Sequence, residues 1–401
     1  VAALNPTTFA YALKTLYSER KLQNLVYKNN PWFAMVSKDT NFKGANFVEA
    51  MIYGHTGARS EQFSTALANK AASKGVAFTI TRSHDYALAS IDTETILASK
   101  GNEAAFLAAV KREMDSAIHA VTRSIAKGLF GNGCGILGIQ DGAAAGLVVT
   151  LLNSDDVTNF EVGMSVVPAA MTGELATGAP GTAVTVDAVD RDAGTITLSS
   201  VTGFDDADAI LAEGDYASAA DRKMIFGLAA WLPYTAESSG TFFGVDRTVD
   251  VSRMQGHRID GSAIDVDQAV LKMAVRIARE GGHPDFAILS YEKWEEMVDD
   301  LRDSVRYQQH KVGETGFQSL LVQGPTGPIS IVADQNCPSN RCYVLTKDTW
   351  RFRSLGPAPQ ILNLDGLQML REYNADAYEL RVGFFGNLCC NAPGYNGVLK
   401  L

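Results

Sequence analysis

One run constrains this chain more than any other: residues 102–127, NEAAFLAAVKREMDSAIHAVTRSIAK. Phe106, Val110, Met114, Ala117, Val121 and Ile125 recur at steps of three or four and so form one stripe of an α-helix. Asn102 can cap its start, Glu103 puts an acid in the first turn, Lys127 puts a base in the last, and Gly128 is a stop. A helix of this length extends about 39 Å, two to three times the ordinary globular span. Such a helix is a beam, and the flanking segments indicate what it carries.

Upstream, residues 1–44 read as an arm. Thr7 or Thr8 can cap a short amphipathic helix through Phe9, Leu13 and Leu16, and Asn29-Asn30-Pro31 then breaks the chain. Residues 45–53 are β-prone, and in 75–82 Val76, Phe78 and Ile80 alternate with Ala77, Thr79 and Thr81. Between them runs a long stretch of small and polar residues. The pattern predicts an extended hairpin over 45–83 with little core of its own. Such a hairpin needs another surface to lie on, and a neighbouring subunit is one candidate. His55, Arg59, Glu61, Phe63, Lys70 and Lys74 are then the candidate contact residues toward its tip. A third run, 86–97, leads into the helix, and 84–146 is read as one unit.

Downstream, Gly131-Asn132-Gly133-Cys134-Gly135 follows a helix and precedes the apolar run Ile136-Leu137-Gly138-Ile139. A phosphate loop has the opposite order, with its glycines opening a helix, so this stretch reads as a turn. Residues 147–217 then change texture to short β-prone runs, with a hairpin turn at Asp190-Arg191-Asp192-Ala193-Gly194. Twelve acids stand there against the single base Arg191, a local charge of −11, although the whole chain carries only −10. Asp155, Asp156, Asp190, Asp205, Asp206 and Asp208 are among them, and they gather at turns. The stretch 203–208 has acids enough for calcium but not the spacing of an EF-hand, so a solvated acidic surface is the expectation.

From 218 to 355 helices and strands alternate: a helix over 265–280, a strand over 286–289, a helix capped by Ser290, and strands over 329–333 and 342–345. This is a mixed α/β domain. Residues 356–401 return to β, with runs at 368–374, 377–383 and 387–391.

The chain of 401 residues is 46% hydrophobic, enough for real cores, and no run of 18 apolar residues exists to span a membrane. Its first twenty residues lack a basic start followed by an apolar core, so synthesis in the cytosol is expected. The five cysteines suit free thiols better than a disulfide framework. Cys337 and Cys342 have a spacing that zinc can use, with His283 and His310 upstream, but a structural zinc takes ligands in tight pairs and these histidines are isolated. Cys389 and Cys390 are adjacent, and on a strand they point to opposite faces. None of His55, His84, His119, His257, His283 and His310 sits in a nucleophile or metalloprotease motif, so no catalytic constellation and no cofactor is expected.

The order of parts, with the wording of several segments, resembles the major capsid protein of tailed double-stranded-DNA bacteriophages. The segments are Gly227-Leu-Ala-Ala-Trp-Leu-Pro233, Ala333-Asp334-Gln-Asn-Cys-Pro338 with Tyr343-Val-Leu, and Tyr378-Glu-Leu-Arg381 followed by Gly386-Asn387-Leu388 and Pro393-Gly394. The resemblance implies an α+β, Hong Kong 97-like capsid fold: N-arm, extended loop, peripheral domain with a long spine helix, and axial domain. The acidic 147–217 stretch would be an inserted small β domain. Residues 218–355 become the axial domain around a five- or six-fold axis, and 356–401 strands that return to the peripheral domain.

The implied partners are many copies of the chain, in pentamers and hexamers of an icosahedral head, and packaged double-stranded DNA bound without sequence preference. Portal and scaffold proteins and a decoration protein would join them, with no membrane. Lys14, Arg20, Lys21 and Lys28 of the arm, with Arg112 and Arg123 of the helix, would face the DNA, and the acidic insert would face outward. Some members crosslink subunits through a lysine–asparagine isopeptide bond. Lys70, Lys74 and Asn396 are of suitable type, without a residue-by-residue match, and no crosslink is expected. Three rival readings are an encapsulin-like compartment, a metal-dependent hydrolase using Cys337 and Cys342 with His283 or His310, and a carbohydrate-binding adhesin using 147–217.

Overall fold

The computed structural model describes residues 30–92, 103–237, 240–302, 309–312, 317–363, 370–373 and 376–401. Lys14, Arg20, Lys21 and Lys28 lie outside the described residues, as do Asn102 and the side chains of Phe106, Val110 and Arg112.

The long helix runs from Glu103 to Gly128. In its described half the stripe is buried: Met114, Ala117, Val121 and Ile125 face inward, joined by Ile118. It lies against a sheet whose central member is the 14-residue strand Ala377–Cys390. That strand pairs antiparallel with Ser83–Asp92 on one side and Trp350–Ser354 on the other, and Trp350–Ser354 pairs parallel with Ser37–Asp39. The sequence pattern predicts two strands here, divided near Gly383 and Gly386, whereas the structure has one. These glycines are sites of close approach and not turns: a Cβ would stand 2.7 Å from the Asp85 carbonyl at Gly383 and 2.7 Å from the Arg353 carbonyl at Gly386.

A second sheet of seven strands runs in the order His257–Asp260, Gly397–Lys400, Arg341–Leu345, Phe286–Leu289, Pro328–Ala333, Phe317–Gln323, Gln309–Val312. Helices Val266–Arg279 and Tyr291–Arg302 cover one face and bury Val270, Met273, Ile277 and Met297 in a shared core. Ser290 Oγ accepts the Lys293 N–H, the cap read from the sequence. Two boundaries move. Trp350–Ser354, expected in the α/β part, belongs to the first sheet, and Gly397–Lys400, expected to return there, is instead the second strand of the α/β sheet. Val398 and Leu399 are both buried, one in each of the cores on the two faces of that sheet, which a strand at its edge against solvent could not achieve.

The acidic stretch folds as a six-stranded sheet, in the order Ile136–Ile139, Ala209–Ala212, Ser165–Ala169, Val184–Asp190, Thr195–Leu198, Val148–Thr150. It has its own core, including Val149, Phe160, Val166, Val186, Ile196 and Ile210. The module therefore starts at Ile136 and not at 147. Ile136–Ile139 reads locally as an isolated apolar run, and its partner Ala209–Ala212 lies some seventy residues on.

Candidate assembly interface

The hairpin consists of Asn46–Gly54 and Lys74–Thr81, which among the described residues pair only with each other. Residues directly opposite share a face, so Phe47 with Ile80, Glu49 with Phe78 and Met51 with Val76 form one side. That side is held by the chain's own body. Phe78 and Ile80 are fully buried, and the Phe78 ring centroid lies 5.2 Å from that of Trp231 and 6.4 Å from that of Phe242. Arg353 pairs with Asp39 and Glu49 and lies 3.7 Å over the Phe47 ring, while Arg253 donates to the Tyr53 carbonyl at 2.6 Å. The surface that a hairpin with little core of its own needs is thus supplied, at its base, by the body of the same chain. The anchors lie up to about three hundred residues away in sequence, and no local pattern announces them.

The opposite side is different. Val48, Ala50, Ile52, Ala77, Thr79 and Thr81 are exposed and carry no charge. Beyond Gly54 the tip is exposed on nearly every residue, including His55, Arg59, Glu61, Phe63, Lys70 and Lys74. A short helix, Phe63–Ala68, buries nothing. Phe63 is 81% and Leu67 57% exposed, and at i and i+4 they project from one face. The tip thus presents an exposed apolar pair at the end of an arm, beside an uncharged strip.

No family model matches the sequence, and no curated protein does. A chain of the cyanophage A-1(L) capsid asymmetric unit superimposes with a TM-score of 0.54 at 12% identity, over 93% of this chain and 92% of its own. The fold is the Hong Kong 97-like fold of phage major capsid proteins. The holo-SrpI encapsulin complex from Synechococcus elongatus is also similar (TM-score 0.48, 7% identity, 100% of this chain and 96% of that one), as is a chain of Mycobacterium phage Ogopogo (0.45, 8%, 93% and 92%).

Within this capsid fold, the segments that carried the resemblance are structural junctions. Trp231 supports the hairpin and donates its indole N–H to the Leu388 carbonyl. Asn387 accepts from the Phe226 N–H and donates to the Thr81 carbonyl, and the buried Asp334 accepts from the Trp32 N–H. Burial raises the Asp334 pKa.

Arg123 does not stand free on the helix. It pairs with Glu161 of the acidic module at 2.7 Å, and Lys127 pairs with Asp156 at 2.5 Å. Arg123 and the module therefore share a side, so an inward Arg123 and an outward module do not coexist. A third pair, Arg341 with Glu174 at 2.7 Å, ties the module to the α/β sheet. Asp155 is exposed, Asp190 accepts the Asp192 and Ala193 N–H groups of its own turn, Asp206 accepts the Gly142 N–H, and Asp208 accepts the Asp205 N–H. Asp215, in the turn that follows Ala209–Ala212, is pushed up to about 7 by burial and by the nearby Asp85, whose own pKa burial also raises.

The hydrolase set does not assemble. Cys337 and Cys342 are buried in different cores, burial holds the Cys342 thiol up at about 12, and His283 is exposed. His310 lies on Gln309–Val312, its side chain outside the described residues. Among the described residues no three histidine, cysteine or acidic side chains gather as metal ligands, and no helix is long and apolar enough to cross a membrane. Cys389 and Cys390 are both buried, and burial pushes the Cys389 thiol up to about 12. Asn396 is fully buried: its Oδ1 accepts from the Thr346 N–H and the Trp350 indole, and its Nδ2 donates to Thr349 and the Ala392 carbonyl. A lysine from a hairpin tip cannot reach this amide without opening the core around it.

Proposed function

We propose that this chain is the structural subunit of a phage head, assembling into pentamers and hexamers of an icosahedral shell that encloses double-stranded DNA. The observation that carries the reading is the capsid fold running through nearly the whole chain at a TM-score of 0.54. The hairpin supports it. The anchored base fixes a direction, and the uncharged strip and Phe63–Leu67 tip offer a neighbour an apolar surface.

Many modest contacts of this kind, repeated around closed rings, give collective stability without one strong bond. In this reading the module of residues 136–217 faces outward, because packaged DNA repels its acids, and Arg123 faces outward with it. The DNA-facing charge is then left to Lys14, Arg20, Lys21, Lys28 and Arg112. Assembly takes place in the bacterial cytoplasm, with portal and scaffold proteins and with any decoration protein on the outer surface.

Deleting 55–73 tests the proposal, because the base of the hairpin retains its own anchors. The expected product is a folded, soluble subunit that forms no closed shells by electron microscopy. Normal shells from that deletion refute the hairpin's role, and irregular aggregates without symmetry from the intact chain refute the shell itself. Nucleic-acid content of purified particles separates a genome container from an encapsulin-like compartment.

A further inference from the structure

The α/β domain carries opposite charges on two helices, and on each helix two exposed charged side chains have no ion pair among the described residues. Helix Val266–Arg279 exposes Lys272, Val275, Arg276 and Arg279 at helical spacing along one face. Among the described residues Lys272 and Arg279 have no ion pair or hydrogen bond, and Arg276 donates to the Arg258 carbonyl. Shallow clefts of about 300 and 430 Å³ flank the stripe, the first lined by His257, Arg258 and Glu280, the second by the apolar Ile259, Leu271 and Val275. Glu280 is already engaged by Arg253. The stripe is therefore basic at its rim and apolar at its centre.

Helix Tyr291–Arg302 has the complementary composition, with five acids, Glu292, Glu295, Glu296, Asp299 and Asp300, against two bases, Lys293 and Arg302. Lys293 pairs with Glu296 in its own helix. Glu292 and Glu295 are exposed and have no partner among the described residues, and Tyr291, 56% exposed, adds an aromatic ring at the same end.

Strand order separates the two surfaces. Helix Val266–Arg279 packs over His257–Asp260, Gly397–Lys400 and Arg341–Leu345, the strands at one end of the sheet, and Ile259 of the edge strand lines its cleft. Helix Tyr291–Arg302 follows Phe286–Leu289 in mid-sheet, and its Met297 shares the core with Leu320, Ile329 and Ile331 of strands toward the other end. One layer of the domain thus ends basic on one side and acidic on the other. A surface pair of this kind on one subunit gives a head-to-tail contact, which generates a ring when the rotation closes.

We propose that the basic stripe of Val266–Arg279 docks the acidic face of Tyr291–Arg302 of a second copy of this chain, with Tyr291 seated against the cleft at Val275, and that this contact sets the order of subunits around a capsomer. The inference rests on the shell reading above. The occupant is a second copy because the chain itself supplies the complementary face, and opposed charges fix register and orientation more than they add affinity.

The test is a charge swap. R276E/R279E and E292R/E295R should each leave the circular dichroism spectrum unchanged and raise the concentration needed for ring and shell formation on the order of a hundredfold, because like charges then oppose one another. The four-fold variant R276E/R279E/E292R/E295R should restore assembly. A mixture of the two two-site variants should form only rings with an even number of subunits, since the altered faces match only in alternation. Normal assembly by either two-site variant overturns the proposal, and so does a four-fold variant that is folded but stays unassembled. R279Q and E295Q, neutral and sterically mild, cover a failure of the reversed variants to fold: each should weaken assembly and flatten its salt dependence, and no change in either overturns the proposal. The intact chain is run alongside, and its failure to form any ring counts against the shell reading instead.

Discussion

Two phenylalanines on one hairpin should give opposite results when truncated. Phe78 is fully buried against Trp231 and Phe242, and Phe63 is 81% exposed at the tip. Phe78→Ala removes a ring from a packed core, which costs about 3–5 kcal/mol in lost transfer energy and residual cavity. Two edge-on aromatic contacts place Phe78 toward the upper part of that range. Because the ring pins the hairpin to the body, the loss should appear as local opening. Amide hydrogen exchange at Val76, Phe78 and Ile80 should accelerate about a thousandfold for a 4 kcal/mol loss. Exchange in Val266–Arg279, which has a separate core, should stay within a few-fold. Phe63→Ala should leave all of these rates unchanged, since an exposed side chain contributes within about 0.5 kcal/mol, yet it should impair shell formation. Unchanged exchange at Phe78 and Ile80 in Phe78→Ala would show that the hairpin is not held by its own chain, and the argument for a fixed, projecting tip would fall with it.

Asp215 predicts a pH dependence. Its pKa is raised from 3.8 to about 7, so its ionised form opposes folding; the penalty is absent below the unfolded value, grows as pH rises from about 4 to 7, and is constant above. Asp215→Asn should therefore stabilise the chain at pH 8, by an upper value on the order of 4 kcal/mol, and by almost nothing at pH 4. Paired urea titrations at the two pH values check this, and equal differences at both would refute it. Glu174→Ala leaves Arg341 without its carboxylate in a mostly buried setting and should cost about 1–3 kcal/mol, with proteolysis of the loop around Met171–Ala176 accelerated. Gly383→Val should be among the most damaging single changes, because the Asp85 carbonyl occupies the space a side chain needs. Loss of soluble expression or of the folded circular dichroism spectrum is the expected readout, and a thermal midpoint equal to that of the unaltered chain would refute the reading.

Local patterns carried much of this fold. The stripe of 102–127 specified a long helix because every fourth or third position is apolar, and the structure buries that stripe from Met114 onward. The alternation in 75–82 specified a strand with Phe78 and Ile80 inward, and Ser290 specified a helix start. These are effects of residues within one or two turns of each other, so a sequence displays them. The exposed tip was legible too, since a long run of small and polar residues cannot bury itself.

Contacts between distant segments were not legible. Periodicity shows that Ile136–Ile139 is a strand but not that Ala209–Ala212 is its partner, and it places Gly397–Lys400 at the end of the chain but not in the interior of the α/β sheet. The hairpin's anchors show the same limit: Arg353 meets Asp39 and Glu49, and Trp231 meets Phe78, across sequence separations that no window spans. Charge gave a half-answer of the same kind. The sequence alone determined that the module is acidic and the long helix partly basic. Only the tertiary structure decided that Arg123 and Lys127 spend their charge on that module, because an ion pair depends on where the backbone brings two side chains, and composition is silent on that.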